Sequence, residues 1–380
     1  MFSLFKTFFL LGWVSFGGPA AHIGYFRQTF VQKLNWLSDD EYAQLVALSQ
    51  FLPGPGSSQV GFAIGYKKEG LLGGILAFIG FTLPSIIVML ILASLSTQLT
   101  ELTWFDAVVH GLKLLAVVVV ADATWGMYNN FCKEKVGLGL FTFTAIALLV
   151  FPGITTQITV LIAAALIGMN FLKPKSSQPT SKFKANWLPL VVFFALFALL
   201  PLFAHQHVQL AIFNSFFQAG SLVFGGGHVV LPLLQSLVGD QLSPDAFLTG
   251  YAAAQAVPGP MFTFATYLGY DLLPNTPVWG ALMATIAVFM PGFLLLLGVL
   301  KHWDKLAAIP KVSGALKGVN AAVVGLLLSA LYQPVFTSAV FTGLDFALVI
   351  AGLYLMKHKK LPIVWMVVLF IIIGLGLSVL

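Results

Sequence analysis

Two backbone breaks inside apolar sequence constrain this chain more than any other feature. Val223 Phe224 Gly225 Gly226 Gly227 His228 Val229 Val230 Leu231 Pro232 is followed about thirty residues later by Gln255 Ala256 Val257 Pro258 Gly259 Pro260. Glycine accepts almost any φ and ψ, and proline removes a donor and clashes with the preceding helical turn, so helix stops at both places. The surroundings make that costly. Of 380 residues, 59% are hydrophobic and 8% charged, against about a quarter charged in a soluble domain, and the mean hydropathy is +0.95. The chain reads as an all-α polytopic membrane protein. Freed amides and carbonyls find no water in hydrocarbon, so a broken helix is tolerated there only where it packs in protein or lines a cavity. The breaks therefore point to a binding site.

The same pattern occurs twice. Phe8 to Pro19, ending in Phe16 Gly17 Gly18 Pro19, is answered about 208 residues on by Phe216 to Gly227. Gln50 Phe51 Leu52 Pro53 Gly54 Pro55 is answered by Gln255 to Pro260, Ile64 Gly65 Tyr66 by Leu268 Gly269 Tyr270, Pro84 by Pro291, Gly111 by Gly318 and Gly168 by Gly374. Offsets of 204 to 208 along the whole chain indicate a duplication. Each copy reads as two interrupted segments followed by four plainer ones, about 71–97, 105–128, 137–152 and 156–172 in the first and 276–300, 315–332, 338–356 and 361–380 in the second. A span needs about 20 apolar residues, so the shorter of these must tilt little. One further apolar span lies between the copies, and because each copy has an even number of elements, that odd crossing turns the second copy over. The expected organisation is a first transmembrane repeat over 1–172, a cytoplasmic lysine-rich linker over 173–186, a connecting helix over 187–204 and a second, inverted repeat over 205–380.

Positive residues test the inversion, because Lys and Arg in short loops favour the cytoplasmic side. Lys67, Lys68, Lys133 and Lys135, the linker residues Lys173, Lys175, Lys182 and Lys184, and Lys301, Lys305, Lys311, Lys357, Lys359 and Lys360 all fall on one side, while 185–300 contains neither Lys nor Arg. The N-terminus is then cytoplasmic and the C-terminus outside. Arg27 and Lys33 obey the rule only if the interrupted segments re-enter as helical hairpins, which gives nine spans and four hairpins; if all segments cross, there are thirteen spans. Met1 to Phe16 runs into Gly17 Gly18 Pro19 rather than a small-residue cleavage site, and reads as mature protein. The single cysteine, Cys132, excludes a disulfide framework or a thiolate metal site within one chain.

Phe16 Gly17 Gly18 Pro19 with His22, the Pro53 Gly54 Pro55 turn, Gly80 Phe81 Thr82 Leu83 Pro84, Phe224 to Pro232 and Gln255 to Pro260 stand in the same order in both halves. Together they resemble the signatures of the chromate transporter family in its long, two-domain form, over essentially the whole chain. The resemblance implies transport of the chromate dianion across the plasma (inner) membrane, as efflux that confers resistance. Sulfate shares its shape and charge and is the natural competitor. A transporter of sulfate or another oxyanion, or an anion channel on the same scaffold, is the alternative. The lipid bilayer is the expected surrounding and a homodimer stays open, with no cofactor or metal expected.

The residues that suit an oxyanion are mainly backbone and neutral donors. Gly17, Gly18, Gly225, Gly226 and Gly227 would expose helix N-termini whose amides and positive dipole ends face a dianion. Gly54 and Gly259 sit in the second breaks. His22 and His228 lie on the turns that open the following helices and can donate or carry a proton. Gln50 and Gln255 precede the Pro-Gly-Pro turns at equal spacing, and Ser57 and Thr263, with Ser58, Gln59 and Thr266, extend a polar lining. Arg27, the only arginine, has a fork that fits a tetrahedral oxyanion. Bland readings compete with each. Small residues let helices pack closely, histidines and hydroxyls are satisfied by nearby carbonyls, and Arg27 can anchor topology. Asp106, His110 and Lys113 share one helical face and read as an ion pair near the outer interface, while Asp122 and Asp345 are the acids most apt to lie in spans.

Other classes find little support. No Gly-x-x-x-x-Gly-Lys-Ser/Thr loop is present for direct ATP drive, and no His and carboxylate cluster or paired nucleophile suggests an enzyme. The lysines form topological clusters rather than a basic groove, which argues against nucleic acid.

Overall fold

The computed structural model describes residues 1–16, 18–99, 103–173, 185–224, 227–302 and 309–377, which are helical with no strand among them. Helix α1 (Phe2–Val14) ends just before Ser15, and α2 (Gly18–Phe26) runs on as a π-turn to Lys33. Helix α3 (Asp39–Phe51) starts on a capping box in which Ser38 and Glu41 satisfy each other's backbone amides. That amide bond, ahead of Lys67, holds the Glu41 carboxyl below its ordinary range. Leu52 turns extended before Pro53, and α4 (Gly56–Leu99) follows, broken at Glu69 and Gly70 into arms over 56–68 and 71–99. Helices α5 (Thr103–Phe131), α6 (Lys135–Val150), α7 (Ile154–Phe171) and α8 (Trp187–Phe203) come next.

The later part of the chain is helical as well. Helix α9 (Val208–Leu222) stops at an extended Val223; a 3₁₀ turn (Gly227–Val229) leads into α10 (Val230–Val238). Helix α11 (Pro244–Ala256) stops at an extended Val257, and the turn Met261–Thr263 leads into α12 (Phe264–Leu272). Then come α13 (Pro277–Val299), α14 (Pro310–Ala330), α15 (Gly343–Lys357) and α16 (Ile363–Leu377). Two helix starts differ from the expected ones by five residues. Helix α14 begins at Pro310 rather than 315, because proline is pre-set for a first helical turn. Helix α15 begins at Gly343 rather than 338, where Thr342 and Asp345 form a second capping box.

Gly56–Ser96, Asp106–Phe131, Ile154–Phe171, Pro277–Val299 and Pro310–Phe336 are long and apolar enough to cross a membrane, and Phe2–Val14, Lys135–Val150, Trp187–Phe203 and Ile363–Leu377 are shorter apolar helices. The protein is an integral, multi-pass membrane protein. Lys175, Lys182, Lys184 and Lys305 of the expected topological clusters lie outside the described residues.

The two halves of the chain interleave. Helix α5 packs on α11, α15 and α16, and α14 packs on α6 and α7. These contacts run backbone to backbone: a methyl group on Gly111 would sit 2.0 Å from the carbonyl oxygen of Phe370, and one on Gly318 would sit 2.1 Å from that of Ala164. Without a hydrophobic gain between helices in lipid, such close approach of small residues is what holds them together.

Ion pairs mark the ends of these helices. The Met1 amine lies 2.7 Å from Glu69, Lys67 lies 3.1 Å from Glu41, and Arg27 lies 2.8 Å from Asp39. The starts of α1 and α3 therefore meet the ends of α2 and of the first arm of α4. Elsewhere, Lys113 meets Asp245 at 2.7 Å and His110 meets Asp345 at 2.8 Å, joining α5 to the starts of α11 and α15. On the expected Asp106, His110 and Lys113 face, His110 and Lys113 thus find their partners across the fold rather than within their own helix.

Candidate functional site

The four breaks are tied together in pairs. The Gly259 amide donates to the Ser15 carbonyl at 2.8 Å, and the Gly54 amide donates to the Val223 carbonyl at 2.7 Å. Each bond joins a break early in the chain to one late in it. Both glycines have left-handed backbone, φ +100 at Gly259 and φ +115 at Gly54, which is what lets the chain reverse there. Two side chains hold the carbonyls beside them: Ser85 Oγ donates to Pro258 at 2.8 Å, and Gln59 Nε2 donates to Pro53 at 2.9 Å and to Gly292 at 3.0 Å. The expected donors Gly54 and Gly259 are therefore spent on the fold, and their contribution is shape.

Beside this junction lies a cavity of about 440 Å³. One wall is the breaks themselves, with Gly18, Pro19, Gly227, His228, Gln255, Gly259 and Met261; the other is Val119, Asp122 and Ala123 of α5 with Met356, Leu361 and Ile363. Gly18, Gly227 and Met261 each open a helix or turn at the cavity. The first amides of a helix have no partner within it and carry the positive end of its dipole, so three such ends border one space. Gly17, Gly225 and Gly226 adjoin it in sequence but lie outside the described residues. Among the described lining residues no Lys or Arg is present, and the one carboxylate, Asp122, stands 3.6 Å from the Lys357 ammonium.

The two histidines fare differently. His22 is fully buried and held at both ring nitrogens, 3.1 Å from the Ser57 hydroxyl and 3.1 Å from the Ser15 carbonyl. It is a strut joining the first two breaks, and Ser57 is its partner. His228 lines the cavity with Nδ1 3.0 Å from the Tyr251 hydroxyl and 3.4 Å from the Gln255 amide nitrogen. The glutamines also part. Gln255 reaches the cavity, whereas Gln50 is exposed on the last turn of α3. Thr263 donates back to the Pro260 carbonyl at 2.8 Å and Thr266 meets Thr285 at 2.7 Å, so both serve packing. Tyr251 had no signal of its own; only its spacing of four from Gln255 along α11 marked the two as one face.

Arg27 stands apart from the cavity, half exposed and paired with Asp39 through Nε and Nη2. Exposed pairs contribute little, so Arg27→Ala is expected to keep substrate flux within about twofold of the parent. A tenfold loss in folded protein, read in reconstituted vesicles, would return the guanidinium to the substrate path.

A second cavity, of about 370 Å³, is lined by Gln157 of α7, Gln235 and Ser236 of α10, and Leu326, Ser329 and Ala330 of α14. The Gln157 amide donates to the Ser236 hydroxyl across it. Leu326, Ser329 and Ala330 follow Val119, Asp122 and Ala123 by 207 residues, and each trio lines one of the two cavities, both of which are bordered by early and late parts of the chain.

The family model described as Chromate transporter matches residues 2–169 and 210–375. A probable chromate transport protein of Synechococcus elongatus is 30% identical over 336 residues, 86% of this chain and 82% of its own. The chromate transport protein of Cupriavidus metallidurans is 28% identical over 367 residues, 94% and 88% of the two chains. An uncharacterized transporter of Bacillus subtilis, YwrA, is 24% identical over 164 residues, 43% of this chain and 92% of its own. No solved structure matches.

Proposed function

The chain belongs to the chromate transporter family, and we propose that it is a secondary transporter exporting chromate by alternating access between two inverted halves. The observation that carries the reading is the cavity beside Gly18, Gly227 and Met261, where helix N-termini converge with no Lys or Arg among the described lining residues. A dianion bound there is held by amides and dipole ends, tightly enough to select it and weakly enough to release it.

Several observations support the duplication. The family matches fall in two stretches of similar length, and one relative of half the length aligns with half the chain. The Gly259 to Ser15 and Gly54 to Val223 bonds exchange roles between the halves, as do the Gly111 and Gly318 approaches. One helix, α8, separates the halves, and an odd crossing inverts the second. The Met1 to Glu69, Arg27 to Asp39 and Lys67 to Glu41 pairs support re-entrant hairpins, because they bring the outer ends of α1, α2, α3 and the first arm of α4 to one side, with the breaks at the far ends. The N-terminus is then cytoplasmic and the C-terminus outside. The large cavity runs past Asp122 and Met356 toward the cytoplasmic ends of α5 and α15, and the Lys113 to Asp245 and His110 to Asp345 pairs close the outer side.

Export of a dianion from a negative interior is electrically downhill, by about 4.6 kcal/mol per 100 mV for two charges. The test is chromate uptake into vesicles holding the purified protein, with an imposed inside-positive potential and sulfate as competitor. Saturable uptake that rises with the potential is expected. Equal competition by sulfate would make the substrate class oxyanions at large, currents far above carrier rates would make the protein a channel, and no flux by folded protein would sink the proposal.

A further inference from the structure

We infer that Tyr251 and Gln255 are the positioning residues that set the tautomer of His228, keeping the imidazole proton on Nε2 as a neutral donor to an oxyanion oxygen. The inference rests on the reading of the cavity as an oxyanion site. Tyr251 is fully buried on α11, with its ring edge-on to Phe264 and its hydroxyl 3.0 Å from His228 Nδ1. Gln255, one turn later on the same face, brings its amide nitrogen within 3.4 Å of the same atom. An amide N–H can only donate, so Nδ1 accepts, and in a neutral imidazole the other nitrogen then carries the hydrogen. Nε2 has no partner among the described residues, and His228 lines the cavity. A chromate or sulfate oxygen, which only accepts, is the partner this leaves room for.

The first half lacks the arrangement. Gln255 follows Gln50 by 205 residues, and the same step back from Tyr251 gives Val46, whose side chain has no hydrogen-bonding group. His22 is accordingly satisfied at both nitrogens by Ser15 and Ser57. One imidazole braces the breaks and the other is held ready at one nitrogen. A tautomer error at His228 would present a lone pair to the anion instead of a proton.

The experiment is ¹⁵N NMR of histidine-labelled protein in lipid nanodiscs, with the His228 signal assigned by its loss in His228→Gln. At neutral pH the parent is expected to show Nδ1 bare and Nε2 protonated. Tyr251→Phe is expected to give a tautomer mixture and to raise KM for chromate about tenfold with little change in maximal rate, the size of one neutral hydrogen bond. Gln255→Glu, whose carboxylate accepts from Nδ1, is expected to invert the tautomer and to cost more. A parent with its proton on Nδ1, or a Tyr251→Phe variant with an unchanged tautomer, overturns the inference, and the parent spectrum tests the tautomer even if the variants fail to fold. If the tautomer is as stated but chromate leaves the Nε2 signal unmoved, the positioning stands and the cavity is not the oxyanion site.

Discussion

Gly259→Ala is expected to reduce chromate flux by at least about tenfold, through strain at one turn that carries no ligand-binding side chain. The backbone there has φ +100, and the added methyl would sit 2.0 Å from Ser85 Oγ. Left-handed backbone costs a residue with a side chain about 1–2 kcal/mol. The overlap displaces Ser85 from the Pro258 carbonyl and pulls the Gly259 amide from Ser15, so both hydrogen bonds that hold this turn are lost. A built-in rescue exists. The residue 207 positions after Ser85 is Gly292, so Ser85→Gly copies the other half and removes the overlap. Gly259→Ala with Ser85→Gly is expected to recover part of the flux, leaving the backbone strain and the missing Ser85 to Pro258 bond. Gly139→Ala, where the methyl meets nothing within 4 Å, is the control and is expected to transport normally. Equal flux in parent and Gly259→Ala would mean that the junction of the breaks does not shape the path.

The second large effect is on stability, and it is asymmetric. The Lys113 side chain is 9% exposed and that of its partner Asp245 is 63% exposed. Asp245→Ala leaves a buried ammonium without its carboxylate, an expected cost of about 2–3 kcal/mol. Lys113→Met leaves a carboxylate that water already solvates and puts an apolar chain in an apolar place, an expected cost under about 1 kcal/mol. The double variant should behave like Lys113→Met. Thermal unfolding in detergent checks the order. If Lys113→Met proves the more damaging, the lysine acts through something other than this pair.

The places where helix stops were legible because their cause is local. Proline at 53, 55, 258 and 260 and glycine at 54 and 259 break a helix whatever surrounds them, and the structure stops α3 at Phe51 and α11 at Ala256. The expected segment over 276–300 is observed as Pro277–Val299, starting where Pro277 is pre-set for a first helical turn. The starts of α14 and α15 were less legible, since apolar content marks where a helix can lie and caps mark where it begins.

Site residues were legible as a neighbourhood, not as roles. His22 and His228 carry the same chemistry beside equivalent breaks, yet one is a strut and the other faces a cavity. Gln50 and Gln255 occupy equivalent positions, yet one is exposed on α3 and the other reaches His228. Nothing in residue type separates these pairs, because the difference lies in Tyr251 against Val46 and in which atoms stand opposite.

What the sequence determined alone is therefore the set of short-range matters: an apolar helical chain, its breaks, and a pattern of residues recurring at about 206 positions. Periodicity, steric limits and the cost of bare peptide groups in hydrocarbon act within a few residues and need no knowledge of the fold. Tertiary structure alone decided the partners. Gly259 with Ser15, Lys113 with Asp245 and Gly111 with Phe370 are more than 130 residues apart in the chain. Their contacts depend on how the interleaved halves close on one another, and a hydrogen bond or ion pair exists only when both of its atoms arrive.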